Sequence, residues 1–125
     1  MPKFRYCFEG QGGYPAILAV RAEIEPGRPF TLSGEGGAVS ILPIEQQHGR
    51  IRSLGFRIGA LAYCNDLNGF PPASLEALEG LDVLILDALR YTPHPSHAHL
   101  DQSLAWIAAL RPKRAILTNL HVDMD

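Results

Sequence analysis

The run from Leu81 to His99, LDVLILDALRYTPHPSHAH, constrains the fold more than any other stretch of the chain. Its apolar heart, Val83 to Leu86, is short and unbroken by polar residues, the pattern of a strand covered on both faces. Strands of this kind belong to open α/β sheets, whose carboxyl edges collect ligands. At that edge the sequence sets Asp87, then Arg90, His94, His97 and His99, so three of the five histidines follow one strand. Pro93 and Pro95 stiffen the loop, and Ser96 or His97 is expected to open an amphipathic helix.

At 125 residues the chain is read as a single domain, 1–125, with enough length to bury a core. A hydrophobic share of 46%, a charged share of 19% and a net charge of −2 suit a globular fold and give no strong nucleic-acid signal. The longest apolar runs, such as Pro15 to Val20, fall far short of the roughly 20 residues that span a membrane. MPKFRYCFEG at the start lacks an apolar signal core. Cys7 and Cys64 lack CxxC spacing, so two free thiols in a reducing, cytoplasmic compartment are expected.

In order along the chain, GQGG at 10–13 reads as a turn, since no Gly-Lys-Ser/Thr follows to make it a phosphate loop. Ala16 to Ile24 alternates as a half-buried strand would, Pro26-Gly27 turns, and Phe30 to Leu32 is a short strand. Gly34 to Gly37 returns the chain into a strand over Val39 to Ile44. Glu45 to Ser53 reads as a polar loop bearing His48, and Leu54 to Cys64 as one strand with Gly59 as a bulge. The prolines at 71 and 72 start a short helix over Ala73 to Leu78, capped by Gly80. Leu100 to Leu110 is a helix that sets Leu100, Leu104, Ile107 and Ala108 on one face with Trp106 at its edge, and Ala115 to Thr118 is the last strand. The predicted class is α/β with a mixed sheet: antiparallel hairpins, then β-α-β-α-β.

Polar residues gather at the strand ends: His48, Asp66, Asp87, His97 and His121. Imidazole and carboxylate together are ligands for Zn²⁺, Mn²⁺ or Fe²⁺. Each also has an ordinary reading, a surface histidine or, for Asp66 in YCND, an Asx turn. The run His97-Ala98-His99-Leu100-Asp101-Gln102 approaches the dinuclear motif HxHxDH with glutamine in the last place. Asp101 there equally suits the first turn of a helix, where a carboxylate complements the dipole.

Taken together, LPIEQQHGRIRSLGFRIG, AYCNDLNGFP, LDVLILDALRYTPHPSHAHLDQSLAWI and PKRAILTNLHVDMD resemble the carboxyl-terminal half of metallo-β-lactamase-fold hydrolases with their αββα sandwich. The likeness is nearest to the cyclic-phosphate phosphodiesterases and more distant to tRNase Z. It implies that His48 lies in the third metal-binding motif and that Asp66 is the aspartate bridging two metals. It also implies that His97 protonates the leaving oxygen and that Asp87 orients it. A carboxylate holding an imidazole has independent sense, since it fixes the tautomer and raises basicity.

Two departures from the family stand out. Thr118-Asn119 occupies the place of a Thr-His dipeptide, so either Asn119 is a weak ligand, or His121 swings in, or one metal is lost. The HxHxDH loop has no counterpart before Met1. The expectation is therefore a truncated, metal-dependent hydrolase acting on phosphodiesters, inactive or only partly competent alone, with Zn or Mn if its site is complete. Its partner would be a second copy or a chain supplying the other half. A self-associating module without catalysis and a gene remnant are the alternatives.

Overall fold

The computed structural model describes residues 4–20 and 23–124. Among them one mixed sheet runs in the order β1 (Phe30–Gly34), β2 (Gly37–His48), β3 (Ile51–Ile58), β4 (Leu61–Cys64), β5 (Val83–Asp87) and β6 (Arg114–Thr118). The first four strands pair antiparallel with their neighbours, and β4, β5 and β6 pair parallel. The α/β class and the hairpins-then-β-α-β-α-β order are as the sequence predicts.

The helices are α1 (Arg5–Glu9), α2 (Pro72–Ala77) and α3 (Leu100–Leu110). Parallel neighbours need a crossover, and α2 and α3 provide it between β4, β5 and β6. Both lie on one face of the sheet. Ala62 and Cys64 of β4 and Leu84 and Leu86 of β5 form the buried core with Ile44, Leu67, Leu78 and Leu81, against Ala77, Trp106, Ile107 and Leu110. Phe70 and Trp106 meet edge to face, with centroids 4.9 Å apart. From β3, the Arg57 guanidinium donates to the carbonyls of Ala77 (2.6 Å) and Glu79 (2.8 Å), which places a cation at the carboxyl end of α2.

Several expectations give way to the structure. Ala16 to Ile24 is no strand in its described part, 16–20 and 23–24; Arg21 and Ala22 lie outside the described residues. Alternation alone does not make a strand without a pairing edge, and here Ile17 and Leu18 donate only to the Cys7 carbonyl. Glu45 to Ser53 is not a loop. β2 carries on to His48, turns through Gly49-Arg50 and returns as β3. Likewise Gly59 is no bulge, because Gly59-Ala60 is the turn of a β3–β4 hairpin. Both glycines stand first in a two-residue turn at φ 62° and 57°, where a side chain would be strained.

The carboxyl cap of α2 is Leu78 rather than Gly80, which lies in the following turn. α3 starts at Leu100 with His99 as its N-cap, later than Ser96 or His97. Its inner face is Ser103, Trp106, Ile107 and Leu110, while Leu104 and Ala108 face outward. In β5 the covering is also uneven: Leu84 and Leu86 are fully buried, but Val83 and Ile85 are only partly so.

Two measurements follow from this core. Leu84→Ala removes a side chain with no exposed surface and is expected to cost about 2–5 kcal/mol in urea unfolding. The Cys64 thiol is pushed by burial up to about 12, so the folded state holds its proton more tightly than the unfolded chain. The resulting stability is full below the ordinary thiol range, around pH 9, and is lost as pH rises toward 12. Urea midpoints should therefore fall more steeply with alkaline pH in the native chain than in Cys64→Ala.

Candidate metal centre

The site forms where β2, β4, β5 and β6 end on one edge of the sheet. β2 runs in the same direction as β4 because each is antiparallel to β3, so His48 closes β2 on the edge where Asp66, Asp87 and Asn119 follow the parallel strands. Asp66 and Asn119 take left-handed backbone angles, φ 56° and 62°, which Asp and Asn adopt more readily than most residues. Each thereby turns the chain sharply at a strand end.

Asp87 organises this edge. Its carboxylate is fully buried and is satisfied from three directions. Oδ2 accepts from the Leu67 amide (3.2 Å) and from Nδ1–H of His97 (2.8 Å), and Oδ1 accepts from the Asn119 amide group (3.2 Å). Behind it, the Ser103 hydroxyl of α3 donates to the Asp87 carbonyl at 2.6 Å. A buried charge without such partners would be costly. With Nδ1 of His97 carrying the proton toward Asp87, Nε2 is free for chemistry.

Asp66 differs in every respect. Its side chain is 57% exposed, and Oδ1 lies 3.9 Å from Nδ1 of His97. Asp66, Asp87 and His97 each offer a ligand atom within 4.8 Å of the others, the one such group among the described residues. His48 stands beside this group, its ring edge-on to His97 with centroids 4.7 Å apart. Nδ1–H of His48 donates to the Ser96 carbonyl at 2.7 Å, which leaves Nε2 with its lone pair, as in metal-bound histidines tied down from behind. The outward Asp66 carboxylate and the His48 imidazole, held by its far nitrogen, are donors that suit a divalent metal, with the His97 ring fixed beside them.

The remaining sequence candidates lie differently. Asn119 turns its amide nitrogen inward, where Nδ2 donates to Asp87 Oδ1 and lies 3.3 Å from Nδ1 of His97 without a hydrogen bond to it. His121 pairs with Asp123 at 3.0 Å, and its backbone donates to the Leu89 carbonyl. The run His97 to Gln102 is no dinuclear motif. His97 turns to Asp87, His99 precedes α3, Asp101 is exposed in its first turn, and Gln102 donates to the Asn68 carbonyl (2.7 Å). His94 accepts from the amides of Ser96 (3.3 Å) and His97 (3.2 Å). Desolvation, then the Arg90 and His97 charges, lower its pKa, in keeping with a neutral ring.

Supporting residues escaped the sequence reading. Gln46, fully buried at the end of β2, donates to the Ser53 hydroxyl (3.1 Å) and the Asn65 carbonyl (2.9 Å), and Ser53 donates to the Asp66 carbonyl (2.6 Å). Asn68 accepts from the Gly49 amide (3.0 Å) and donates to the Pro95 carbonyl (2.9 Å), tying the β2–β3 turn to the histidine loop. Neither carried a strong signal, since Gln46 stands in the polar run Glu45-Gln46-Gln47-His48 and Asn68 is one of several polar residues after Cys64.

Comparison with known proteins agrees with this architecture. The beta-lactamase superfamily domain matches residues 4–119. A crystal structure of a diphosphatase from the PhnP family is 35% identical, with a TM-score of 0.73 over 82% of this chain and 38% of that one. The short form of human tRNase Z (19% identity, TM-score 0.59) and YhfI of Bacillus subtilis (16%, 0.64) share the fold. The tRNase Z match covers 70% of this chain and 38% of that one, and the YhfI match 79% and 42%. An octanoyltransferase of Porphyromonas gingivalis is 27% identical over 94% of this chain and 23% of its own length. The chain thus spans about a quarter of that curated relative and under half of each of these solved structures. A match over residues 4–119, with the strand order and the strand-edge site described above, means that the chain belongs to the beta-lactamase superfamily of metallo-β-lactamase-fold hydrolases.

Proposed function

We propose that this chain carries part of a divalent-metal centre for the hydrolysis of phosphate esters, with phosphodiesters as the substrate class. The observation that carries the reading is the division of labour between two aspartates 21 residues apart, Asp87 buried and fully hydrogen-bonded, Asp66 exposed beside His97 and His48. Asp66 and His48 Nε2 are the groups that would hold zinc or manganese. Once bound, such an ion supplies a Lewis acid and a water of lowered pKa.

The chain's own residues do the rest. Asp87 fixes the His97 ring through Nδ1, which leaves Nε2 as the atom that can deliver a proton to the departing oxygen. Asn119 acts as a positioning residue, holding the second Asp87 oxygen from turning away. The diphosphatase likeness supports phosphate-ester chemistry. Cys64 is no candidate nucleophile for the acyl transfer that the octanoyltransferase likeness suggests, because it is buried in the core with its thiol at about 12. The free cysteines fit a cytoplasmic setting.

Because a catalytic zinc site takes three protein ligands and a water, donors from outside these 125 residues would complete the centre, and these residues alone should be slow or inactive. Calorimetric titration with Zn²⁺ and Mn²⁺ tests the reading. Asp66→Ala and His48→Ala should each weaken binding roughly 10-fold or more. Affinity unchanged in both variants would overturn it, as would brisk hydrolysis of bis(p-nitrophenyl) phosphate that survives Asp66→Ala.

A further inference from the structure

His94 is the imidazole of the strand edge that neither holds the metal nor moves the proton. It stands between Pro93 and Pro95, and its ring is held by its own loop. Pro95 has no amide hydrogen, so the first backbone donors after His94 are those of Ser96 and His97. Both donate to Nδ1, at 3.3 Å and 3.2 Å. A nitrogen that accepts two amide protons carries none of its own, and the ring is therefore the Nε2–H tautomer. Among the described residues no acceptor meets that Nε2 proton, and the side chain is only part-buried.

The place of the ring gives this proton a use. The Ser96–His97 peptide is bonded at both ends: its carbonyl accepts from Nδ1–H of His48 at 2.7 Å, and its amide donates to His94. One peptide plane thus fixes His48 and His94 against each other. The His94 ring lies 5.2 Å from that of His97, centroid to centroid, and the His48 ring 4.7 Å from it. Each of the three is tied by Nδ1, but to different partners: a carbonyl for His48, a carboxylate for His97 and amides for His94. Only His94, when neutral, therefore carries its proton on Nε2. Arg90 donates to the Thr92 (3.0 Å) and Pro93 carbonyls, which braces the turn into His94 and keeps a cation near its ring, a setting that favours an anion.

We infer that His94 is a substrate-binding residue of this edge, donating its Nε2 proton to a non-bridging oxygen of the phosphate ester. The inference rests on the phosphate-ester reading of the site and adds a role to it. With Asp66 and His48 taking the cation and His97 serving the leaving oxygen, a phosphoryl group keeps a further oxygen whose negative charge lacks a partner. A neutral N–H answers that charge without placing a second acid beside His97. The two loop amides hold the ring's orientation, so the donor is in place before substrate arrives.

Two substitutions separate this donor from the loop contact. His94→Asn keeps a short acceptor for the Ser96 and His97 amides, as in an Asx turn, but no donor reaches the place of Nε2. His94→Gln does the reverse, bringing an amide nitrogen close to that place. Zinc and then inorganic phosphate are titrated into the full chain, with calorimetry for affinity and nitrogen-15 NMR for the imidazoles. His94 should begin as the Nε2–H tautomer, and its Nε2 signal should move with phosphate. His94→Asn should bind phosphate roughly 10-fold more weakly, His94→Gln should recover most of that loss, and zinc affinity should be unchanged in both. Native phosphate affinity in His94→Asn overturns the inference, as does a lost zinc affinity there, which would mean that the side chain serves the loop alone. A native chain whose His94 signal phosphate leaves unmoved overturns it whether or not the variants fold. If zinc fails to bind the native chain while that signal still moves with phosphate, the metal reading falls and the role of His94 stands.

Discussion

The carboxylate of Asp87 is the constraint on which the strand edge depends. It sits in a place from which water is excluded, and a charge there is tolerable only because three donors converge on it. Those donors come from the turn after β4, the histidine loop and the turn after β6. One side chain therefore fixes the relative placement of three segments far apart in sequence. The Ser103 hydroxyl on its carbonyl adds α3 to the same cluster. Structure and chemistry meet here, since the bond that orients the His97 ring also holds the loops together.

The parallel strands explain why the site lies where it does. Cys64 stands beside Leu86, and Asp87 beside Thr118, so the residues leaving β4, β5 and β6 emerge side by side. Asp66 and Asn119 turn the chain at once through left-handed conformations, which keeps their side chains at the edge. Gln46 and Ser53 then brace the Asp66 turn from β2 and β3. The antiparallel hairpins thus act as a scaffold for one carboxylate as well as a means of extending the sheet.

Much of this was legible in the sequence. The apolar run at Val83 to Leu86 marked the central strand, and the family resemblance paired Asp87 with His97 before any geometry. The hairpin turns were missed because Gly49-Arg50 and Gly59-Ala60 lack the Asn-Gly or Asp-Gly form that marks such turns most strongly. Periodicity misjudged α3 because it counts Leu104 as core and Ser103 as surface. The serine is buried for its hydrogen bonds to Asp87 and His99, which no hydrophobic pattern records. Ala16 to Ile24 has the composition of a strand and no edge to pair with, a tertiary fact invisible in the sequence.

The central claim is that Asp87 holds His97 by Nδ1 while His48 and Asp66 are left to bind metal. Nitrogen-15 NMR of the imidazoles during zinc titration tests it most directly. The account predicts that His48 begins as the Nδ1–H tautomer and that its Nε2 signal moves on coordination, while His97 keeps its Nδ1 proton throughout. Loss of the His97 Nδ1 proton on adding zinc, with His48 unmoved, would contradict it, since the metal would then sit between Asp66, Asp87 and His97 in place of the hydrogen bond.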